Sequence, residues 1–331
     1  MRRMLKVLQL IMCVCTIVSL SACVKRLDTR VVLYPAAHDK FVKIDTDVRD
    51  VDIHYLEYPG GGSDIVLIHG FGSSTFTWED MVPKLQKKFR DHRSPAPHVW
   101  AVDMKGFGWS DKPFNAKYDP FTLTEDVYAW MEKIGVDNAT VVGNSLGGAI
   151  AWVLALDHPE KVGRLVLIDA GGYPPDKNNF AAFAWVPFPD FWLNLFFNRG
   201  LVRWGLHKAF YDAGKITDTR IDAYFNRLRT RGGIDALVAA ATSLDPKLAL
   251  TYAGRIHDIK QETLIIWGRN DNWIPLKDGC RFNHDIKRST LFVIPQCGHV
   301  PQEEKPDDVA QILYQFLTGT LHVPVGNTRA D

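Results

Sequence analysis

The chain has 331 residues, enough for one large α/β domain with an insertion or for two modest domains, and its residue mix is that of a globular protein. Lys and Arg number 39 against 38 Asp and Glu, and no block of like charge marks a face for nucleic acid. Nucleic acid is therefore not expected as a partner.

Residues 1–22 have the pattern of a secretory signal. Arg2, Arg3 and Lys6 form a basic start, and an uncharged run follows from Val7 to Leu20. Because a membrane-spanning helix needs about 20 apolar residues, this shorter run indicates a signal peptide that takes no part in the mature fold.

The signal ends in Leu20-Ser21-Ala22-Cys23, which resembles the lipobox of bacterial lipoproteins. The resemblance implies that Cys23 carries diacylglycerol and becomes the mature N-terminus, so that lipid anchors the protein on the extracytoplasmic side of a bacterial membrane. Val24 follows in place of aspartate, which by the same resemblance favours the outer membrane of a Gram-negative cell. An ordinary signal peptide with a chance cysteine is the alternative.

Residues 23–40 are expected to form a tether, after which short β-rich runs alternate with amphipathic helical stretches. This alternation is typical of an α/β fold with a mostly parallel, doubly wound sheet. The predicted strands are an antiparallel pair, Phe41–Ile44 and Val51–Tyr58, and then Ile65–Ile68, Val99–Val102, Thr140–Val142, Leu165–Ile168, Leu264–Trp267 and Leu291–Ile294. The predicted helices are Thr75–Phe89, Leu123–Ile134, Leu146–Leu156 and Pro306–Leu317.

One interval breaks the alternation. Roughly 90 residues between Asp169 and Leu264 lack a clear buried strand, far more than the about 2 to 6 residues of a usual loop. We therefore expect a helical cap at 173–258, inserted into a core formed by 41–172 and 259–331. Most of its aromatic side chains should pack within the cap, and the rest should line a pocket for an apolar substrate; they are Phe180, Phe183, Trp185, Phe188, Phe191, Trp192, Phe196, Phe197 and Trp204.

The motif Gly143-Asn144-Ser145-Leu146-Gly147 follows a predicted strand and opens a helix-forming stretch. This is the context of the G-x-S-x-G nucleophile elbow, in which the serine occupies a strained turn. Glycines two residues on either side of the serine allow the strand and the helix to pass closely. The motif therefore indicates Ser145 as a nucleophile.

With His69-Gly70-Phe71-Gly72 after one strand and Asp103–Asp111 after the next, the elbow makes the chain resemble the α/β-hydrolase family along nearly all of its mature length. The resemblance implies an oxyanion hole made by the backbone N–H groups of Phe71 and Leu146. Each such donor is worth about 3 to 4 kcal/mol by analogy with the removal of such donors in other serine hydrolases. No cofactor is expected, and no metal, because no histidines and carboxylates fall at zinc-ligand spacing.

A serine hydroxyl needs a base, and the base needs a carboxylate. By the family resemblance the base is His299, on the loop between the last strand and the final helix. The alternatives are His284, predicted on the helix after Asp271, and His69, whose role by the same resemblance is to shape its loop. His322 lies beyond the final helix and is not expected to be the base.

The resemblance assigns the acid to Asp271, in Gly268-Arg269-Asn270-Asp271-Asn272 after the penultimate strand. The chain order Ser, Asp, His is the order expected for this fold. Asp169, at the end of the strand before the cap, is the rival acid, because some members of the family place it there. Asp103 is expected to organise a turn by bonding to its own backbone.

These residues predict a serine hydrolase that cleaves apolar carboxylic esters. Haloalkane dehalogenases and epoxide hydrolases resemble the chain in cap placement, but they use aspartate at the position of Ser145. A different class of answer is a catalytically inert binding or scaffold lipoprotein, since fold alone does not decide function. The compartment permits a disulfide between Cys280 and Cys297, and the sequence leaves this pairing open.

The closest enzyme alternative is a hydrolase of carbon–carbon bonds in ring-fission products. The stretches around Asn144, Gly148 and Cys297-Gly298 resemble that group. Two features differ: the loop after His69-Gly70 lacks the extra glycines and proline typical of the group, and Val300 stands where its members usually carry tryptophan. A lipoprotein signal is also unusual for a cytosolic catabolic step.

Overall fold

The structure is a computed structural model that describes residues 39–173, 189–243 and 245–321. Its centre is one sheet of eight strands. The strands are β1 (Asp39–Ile44), β2 (Val51–Tyr58), β3 (Asp64–Ile68), β4 (His98–Val102), β5 (Ala139–Asn144), β6 (Val162–Ile168), β7 (Glu262–Gly268) and β8 (Ser289–Ile294). Every predicted strand is present within a few residues of its expected bounds.

The strands are arranged in the order β1-β2-β4-β3-β5-β6-β7-β8. The first two strands form the expected antiparallel pair, β2 also pairs antiparallel with β4, and all other neighbours are parallel. β5 is buried along its whole length, as expected for a parallel strand with helices on both faces. The predicted mostly parallel, doubly wound fold is confirmed.

The helices cover both faces of the sheet and create two cores. They are α1 (Met81–Asp91), α2 (Pro120–Ile134), α3 (Leu146–Asp157), α4 (Pro189–Phe196), α5 (Arg199–Ala209), α6 (Asp218–Leu228), α7 (Gly233–Thr242), α8 (Pro246–Ala253), α9 (Leu276–Asp285), α10 (Pro301–Glu304) and α11 (Pro306–Thr318). α1 and α11 share one core through Leu85 and Phe316, while α2 and α3 share the other through Trp130 and Ile150. The carboxyl ends of the parallel strands are thereby held in one rigid frame.

The helix predicted over Thr75–Phe89 is wrong as a single element. The structure has a 3₁₀ turn at Thr75–Trp78 and then a separate helix, α1. The first amides of the turn are bonded to side chains, since Thr75 N–H donates to Asp103 Oδ1 at 2.6 Å and Phe76 N–H donates to Ser74 Oγ at 3.4 Å. The bond to Asp103 joins residues 28 apart in the chain, and no sequence pattern indicates it, so the interruption could not be predicted.

Between β6 and β7 the described residues form the five helices α4 to α8. α5 and α6 pack around a small core that includes Val202, Leu206 and Ile221 and reaches Val300, next to the candidate base. The limits of a separate cap domain stay a prediction. At the other end, β1 begins at Asp39, so the last two residues of the expected tether belong to the sheet.

The described cap aromatics divide between packing and exposure. Phe197 stacks on Phe225 with ring centroids 5.5 Å apart, whereas Phe196 and Trp204 are 63% and 60% exposed. Phe180, Phe183, Trp185 and Phe188 lie outside the described residues, as do the side chains of Phe191 and Trp192. The expected division of the cluster between core and pocket therefore stays a prediction.

Residues 1–22 and the lipidation candidate Cys23 also lie outside the described residues. Among the helices that the structure describes, none combines the length and the apolar character needed to cross a bilayer. Cys280 and Cys297 are both free thiols, so the pairing left open by the sequence is not formed.

Candidate active site

Ser145 lies in the sharp turn between β5 and α3. Its φ of 56° and ψ of −117° place a non-glycine residue in a sparsely populated region of backbone space. Three backbone hydrogen bonds hold it there: Ser145 N–H donates to Ile168 O at 3.0 Å, and Ser145 O accepts from Gly171 N–H at 3.0 Å and Ala149 N–H at 3.1 Å. The end of β6, the loop that follows it and the first turn of α3 therefore fix the turn that presents the hydroxyl.

The glycines of the elbow are required by close backbone approaches. A Cβ on Gly147 would lie 2.2 Å from the carbonyl oxygen of Ile68, and a Cβ on Gly143 would lie 2.1 Å from the carbonyl oxygen of Gly147. Both distances are far inside van der Waals contact with backbone atoms, which cannot rotate away. The sequence interpretation of these glycines as spacers between strand and helix is consistent with this packing.

His299 and Asp271 are brought together by the loops after β8 and β7. His299 Nδ1 and Asp271 Oδ2 are 2.7 Å apart, and Asp271 Oδ1 accepts from Trp273 N–H at 2.7 Å and Ile274 N–H at 3.1 Å. A carboxylate accepts hydrogen bonds only, so Nδ1 carries the hydrogen and Nε2 is left as the basic nitrogen. The imidazole is nearly buried and ready to accept a proton on its free side.

The elbow and the histidine loop are joined through Asn144. Its side-chain amide donates to His299 O and to Ile168 O, both at 3.1 Å. The residue next to Ser145 is thus bonded to the backbone of His299. Of the three residues that the sequence proposed as nucleophile, base and acid, the base and the acid are in direct contact, and the nucleophile turn is joined to them through Asn144.

The expected oxyanion donors flank the elbow. Leu146 is the first residue of α3, where backbone N–H groups have no intrahelical acceptor and the helix dipole is positive. Phe71 follows Gly70, and a Cβ on Gly70 would lie 3.1 Å from the Cβ of Ser145, so this loop runs beside the nucleophile. Within the described part of the chain, neither amide donates to a protein acceptor. Both are therefore available to an oxygen bound at Ser145.

The alternative histidines are engaged elsewhere. His69 is fully buried, with Nδ1 2.8 Å from Gly70 O and Nε2 accepting from Met104 N–H at 3.2 Å. Burial lowers the pKa of His69, so it is a neutral group that shapes the loop. His284 is exposed on α9 and pairs with Asp285 at 2.9 Å. His322 lies outside the described residues.

Asp169, the rival acid, lies close to Asp271 and His299. It is fully buried at the end of β6, with φ of 44°, and its Oδ1 accepts from Gly268 N–H at 2.9 Å. Donor atoms of Asp169, Asp271 and His299 all lie within 4.8 Å of one another, the spacing of a metal site. However, Asp271 already binds His299 and two amides, which leaves few lone pairs for a cation.

Glu304 is a residue of the site that the sequence analysis missed. It is buried on α10 and accepts from Gly298 N–H at 2.7 Å, Tyr211 N–H at 3.2 Å and Asp212 N–H at 2.6 Å. His299 N–H also donates to Ala209 O at 2.7 Å. These bonds hold the C-terminal end of α5, and the residues just after it, against the loop that carries His299. In the sequence, Glu304 follows a proline and another glutamate, a pattern typical of an exposed helix start.

An elbow serine, a histidine bonded to a carboxylate and two free amides define the scaffold of a serine hydrolase. A model of the α/β-hydrolase fold family matches residues 65–306, and the chain belongs to this family.

Comparison with individual proteins extends this result. The chain is 29% identical over 294 residues to a 2-hydroxy-6-oxononadienedioate/2-hydroxy-6-oxononatrienedioate hydrolase of Paraburkholderia phymatum, which spans 85% of this chain and 96% of the relative. It is 27% identical to the solved structure of a meta-cleavage product hydrolase from Pseudomonas fluorescens, with a TM-score of 0.68 over 85% of this chain and 98% of that one. A solved membrane phospholipase A, described as a bacterial virulence factor, is also 27% identical, with a TM-score of 0.64 over 97% of this chain and 99% of that one.

Proposed function

We propose that this chain hydrolyses carboxylic esters with an apolar acyl or alcohol group, using Ser145 as nucleophile, His299 as base and Asp271 as the acid that orients it. The observation that carries the serine-hydrolase part of the proposal is the 2.7 Å contact between His299 Nδ1 and Asp271 Oδ2. This pair leaves Nε2 free to take the serine proton, which makes Ser145 a competent nucleophile.

The proposed reaction has two halves. Ser145 Oγ attacks the acyl carbon while His299 Nε2 takes its proton, and the N–H groups of Phe71 and Leu146 stabilise the oxyanion. His299 then returns the proton to the leaving alcohol as the ester C–O bond breaks, leaving the acyl group on Ser145. Water, activated by the same histidine, adds to the acyl group and releases the acid and the free serine.

Carbon–carbon bond hydrolysis is the second candidate, and the names of the compared proteins favour it. The meta-cleavage product hydrolase and the 2-hydroxy-6-oxononadienedioate/2-hydroxy-6-oxononatrienedioate hydrolase are both similar to this chain over 85% of its length. The family shares its triad between both reactions, so the triad alone does not separate them.

Three observations keep ester hydrolysis first. Val300 stands where carbon–carbon hydrolases usually carry tryptophan, and it is buried in the small core of α5 and α6. The loop that holds Phe71 lacks the glycine and proline pattern of that group. Of the compared proteins described above, the membrane phospholipase A matches the largest part of this chain, 97%, and a phospholipase A cleaves carboxylic esters.

One experiment separates the candidates. Purified wild type and S145A would be assayed with p-nitrophenyl esters from acetate to palmitate and with 2-hydroxy-6-oxononadienedioate. The proposal expects serine-dependent ester hydrolysis that exceeds cleavage of the dioate. Faster cleavage of the dioate would establish the second candidate, and rates equal to those of S145A on every substrate would leave the inert lipoprotein as the answer.

A further inference from the structure

Two carboxyl groups, rather than one, lie against His299. Asp271 is bonded to the ring directly, and a carboxylate oxygen of Asp169 lies within 4.8 Å of both an Asp271 oxygen and a ring nitrogen. The two aspartates follow neighbouring parallel strands, because Asp169 comes directly after β6 and Asp271 comes after β7. The reaction described above uses only Asp271, which leaves the second carboxyl group to be explained.

The contacts of Asp169 are those of a neutral acid. Its Oδ1 accepts from Gly268 N–H at 2.9 Å, while its Oδ2 is buried and has no hydrogen-bond partner in the described part of the chain. An ionised carboxylate with one oxygen left without a donor in a dry site is costly. A proton on Oδ2, directed at the nearby carboxylate of Asp271, removes that cost.

The charges around Asp169 agree with this protonation. Burial raises the pKa of Asp169 well above its ordinary value, and the charge of Asp271 raises it further. The other titratable groups that face it are His299, Glu304, which is bonded to three amides, and the Cys297 thiol, which burial keeps neutral by raising its pKa. With an Asp271 oxygen within 4.8 Å, a second negative charge on Asp169 is unfavourable, so Asp169 is the carboxyl group that keeps a proton.

We propose that Asp169 is a positioning residue of the triad: its carboxyl group holds a proton against Asp271, steadies that carboxylate toward His299, and takes over as the carboxylate when Asp271 is removed. The inference rests on the proposed function, since it requires Ser145 to react through His299. It differs from a second ionised acid, which would add a full negative charge beside the imidazole.

Labelling by a fluorophosphonate probe tests this inference without any choice of substrate. The bond between Ser145 Oγ and phosphorus forms, the P–F bond breaks, the hydroxyl proton passes to His299 and fluoride leaves. In D169N a neutral amide keeps an acceptor for Gly268 N–H and a donor for Asp271, so the acid limb of the labelling rate should move by less than about half a pH unit. If Asp169 were ionised, the loss of its charge would move that limb to lower pH by about one unit or more, which would overturn the inference.

D169S answers the same question should D169N fail to fold, because serine is also neutral. A second comparison uses D271N, which should be labelled at least about tenfold faster than D169N/D271N, because Asp169 then supplies the carboxylate for His299. D258N/D271N is the matched control, since Asp258 is exposed, and it should behave as D271N does. Equal rates for D271N and D169N/D271N would overturn the inference, whereas an unlabelled wild type would overturn the proposed function and this inference together.

Discussion

His54 shows how single residues stabilise the frame around the site. It is buried, with Nδ1 2.7 Å from Asp103 Oδ2 and Nε2 3.0 Å from Asp39 Oδ1. Asp103 in turn accepts from Thr75 N–H and from Trp109 N–H, at 2.6 Å and 2.8 Å. Asp103 therefore holds two loops at the end of β4, where the sequence predicted only a local turn.

This cluster makes stability depend on pH. Burial opposes a charge on His54, but Asp103 and Asp39 outweigh it and raise the pKa above the ordinary 6.5. When folding raises the pKa of a histidine, protonation of that histidine stabilises the folded protein. This stabilisation is complete below the pKa of the unfolded chain and is lost as pH rises through the pKa of the folded protein. Relative to wild type, H54Q should lose about 3 to 5 kcal/mol of unfolding free energy at pH 6, as for a broken buried pair.

The deficit of H54Q should shrink as pH is raised from 6 toward 9, which urea denaturation at several pH values would measure. A deficit that stays constant over this range would show that His54 is neutral in the folded protein.

The residues of the triad were accessible to sequence reasoning because each one follows a recognisable strand, at a position to which the family resemblance gives a role. Ser145, Asp271 and His299 lie just beyond β5, β7 and β8, whose apolar runs are easy to recognise. Glu304 was not accessible, because its partner amides at Tyr211 and Asp212 lie about 92 residues away in the chain and no spacing rule connects them. The burial of a charged side chain depends on such distant neighbours.

Among the elements, α3 determines the position of the nucleophile because it packs closely across β3 and β5. The helix approaches β3 so closely that a Cβ on Gly147 would lie 2.2 Å from the carbonyl oxygen of Ile68. Strands of this kind were predicted well, since parallel strands buried on both faces appear as continuous apolar runs. The helix over Thr75–Phe89 was not, because the side chain of Asp103, from a distant part of the chain, binds the amide of Thr75.

G147A should disrupt the elbow. A Cβ 2.2 Å from a backbone oxygen forces α3 away from the sheet, so we expect a fall of at least about tenfold in fluorophosphonate labelling, together with a melting temperature several degrees lower. Gly205 in α5 is the matched control, since a Cβ there meets no atom within 4 Å.

G205A should keep the labelling rate and gain stability, because alanine is about 1 kcal/mol better than glycine within a helix. Thermal melts and labelling rates of the two variants, measured side by side, provide the comparison. A G147A protein with wild-type rate and stability would show that the close approach is not required.

For the whole molecule, the compared proteins differ in how much of this chain they match. The dioate hydrolase and the meta-cleavage product hydrolase each match 85% of the chain, whereas the membrane phospholipase A matches 97%. The residues before β1 carry the lipobox-like sequence, and a lipid on Cys23 would hold the enzyme beside apolar substrates in a membrane. Neither the anchor nor the cap limits could be derived from the fold, because both depend on residues outside the sheet and its flanking helices.

The anchor is a proposal with a direct test. Cells grown with a labelled fatty acid should incorporate label into the wild-type protein and not into C23S, and the wild type should partition with membranes because acyl chains contribute about 0.8 kcal/mol per buried methylene. C280S is the control, since that thiol lies far along the chain from the signal. An unlabelled, freely soluble wild type would contradict the anchor without touching the hydrolase.

The proposed mechanism requires a covalent acyl intermediate on Ser145, and this intermediate can be trapped. Wild type mixed with p-nitrophenyl butyrate would be quenched in acid during turnover, digested and analysed by mass spectrometry. We expect a butyryl group on the peptide that contains Ser145, none in S145A, and less in H299A because the serine loses its base. Turnover with an unmodified Ser145 peptide, or turnover by S145A at the wild-type rate, would show that Ser145 is not the nucleophile.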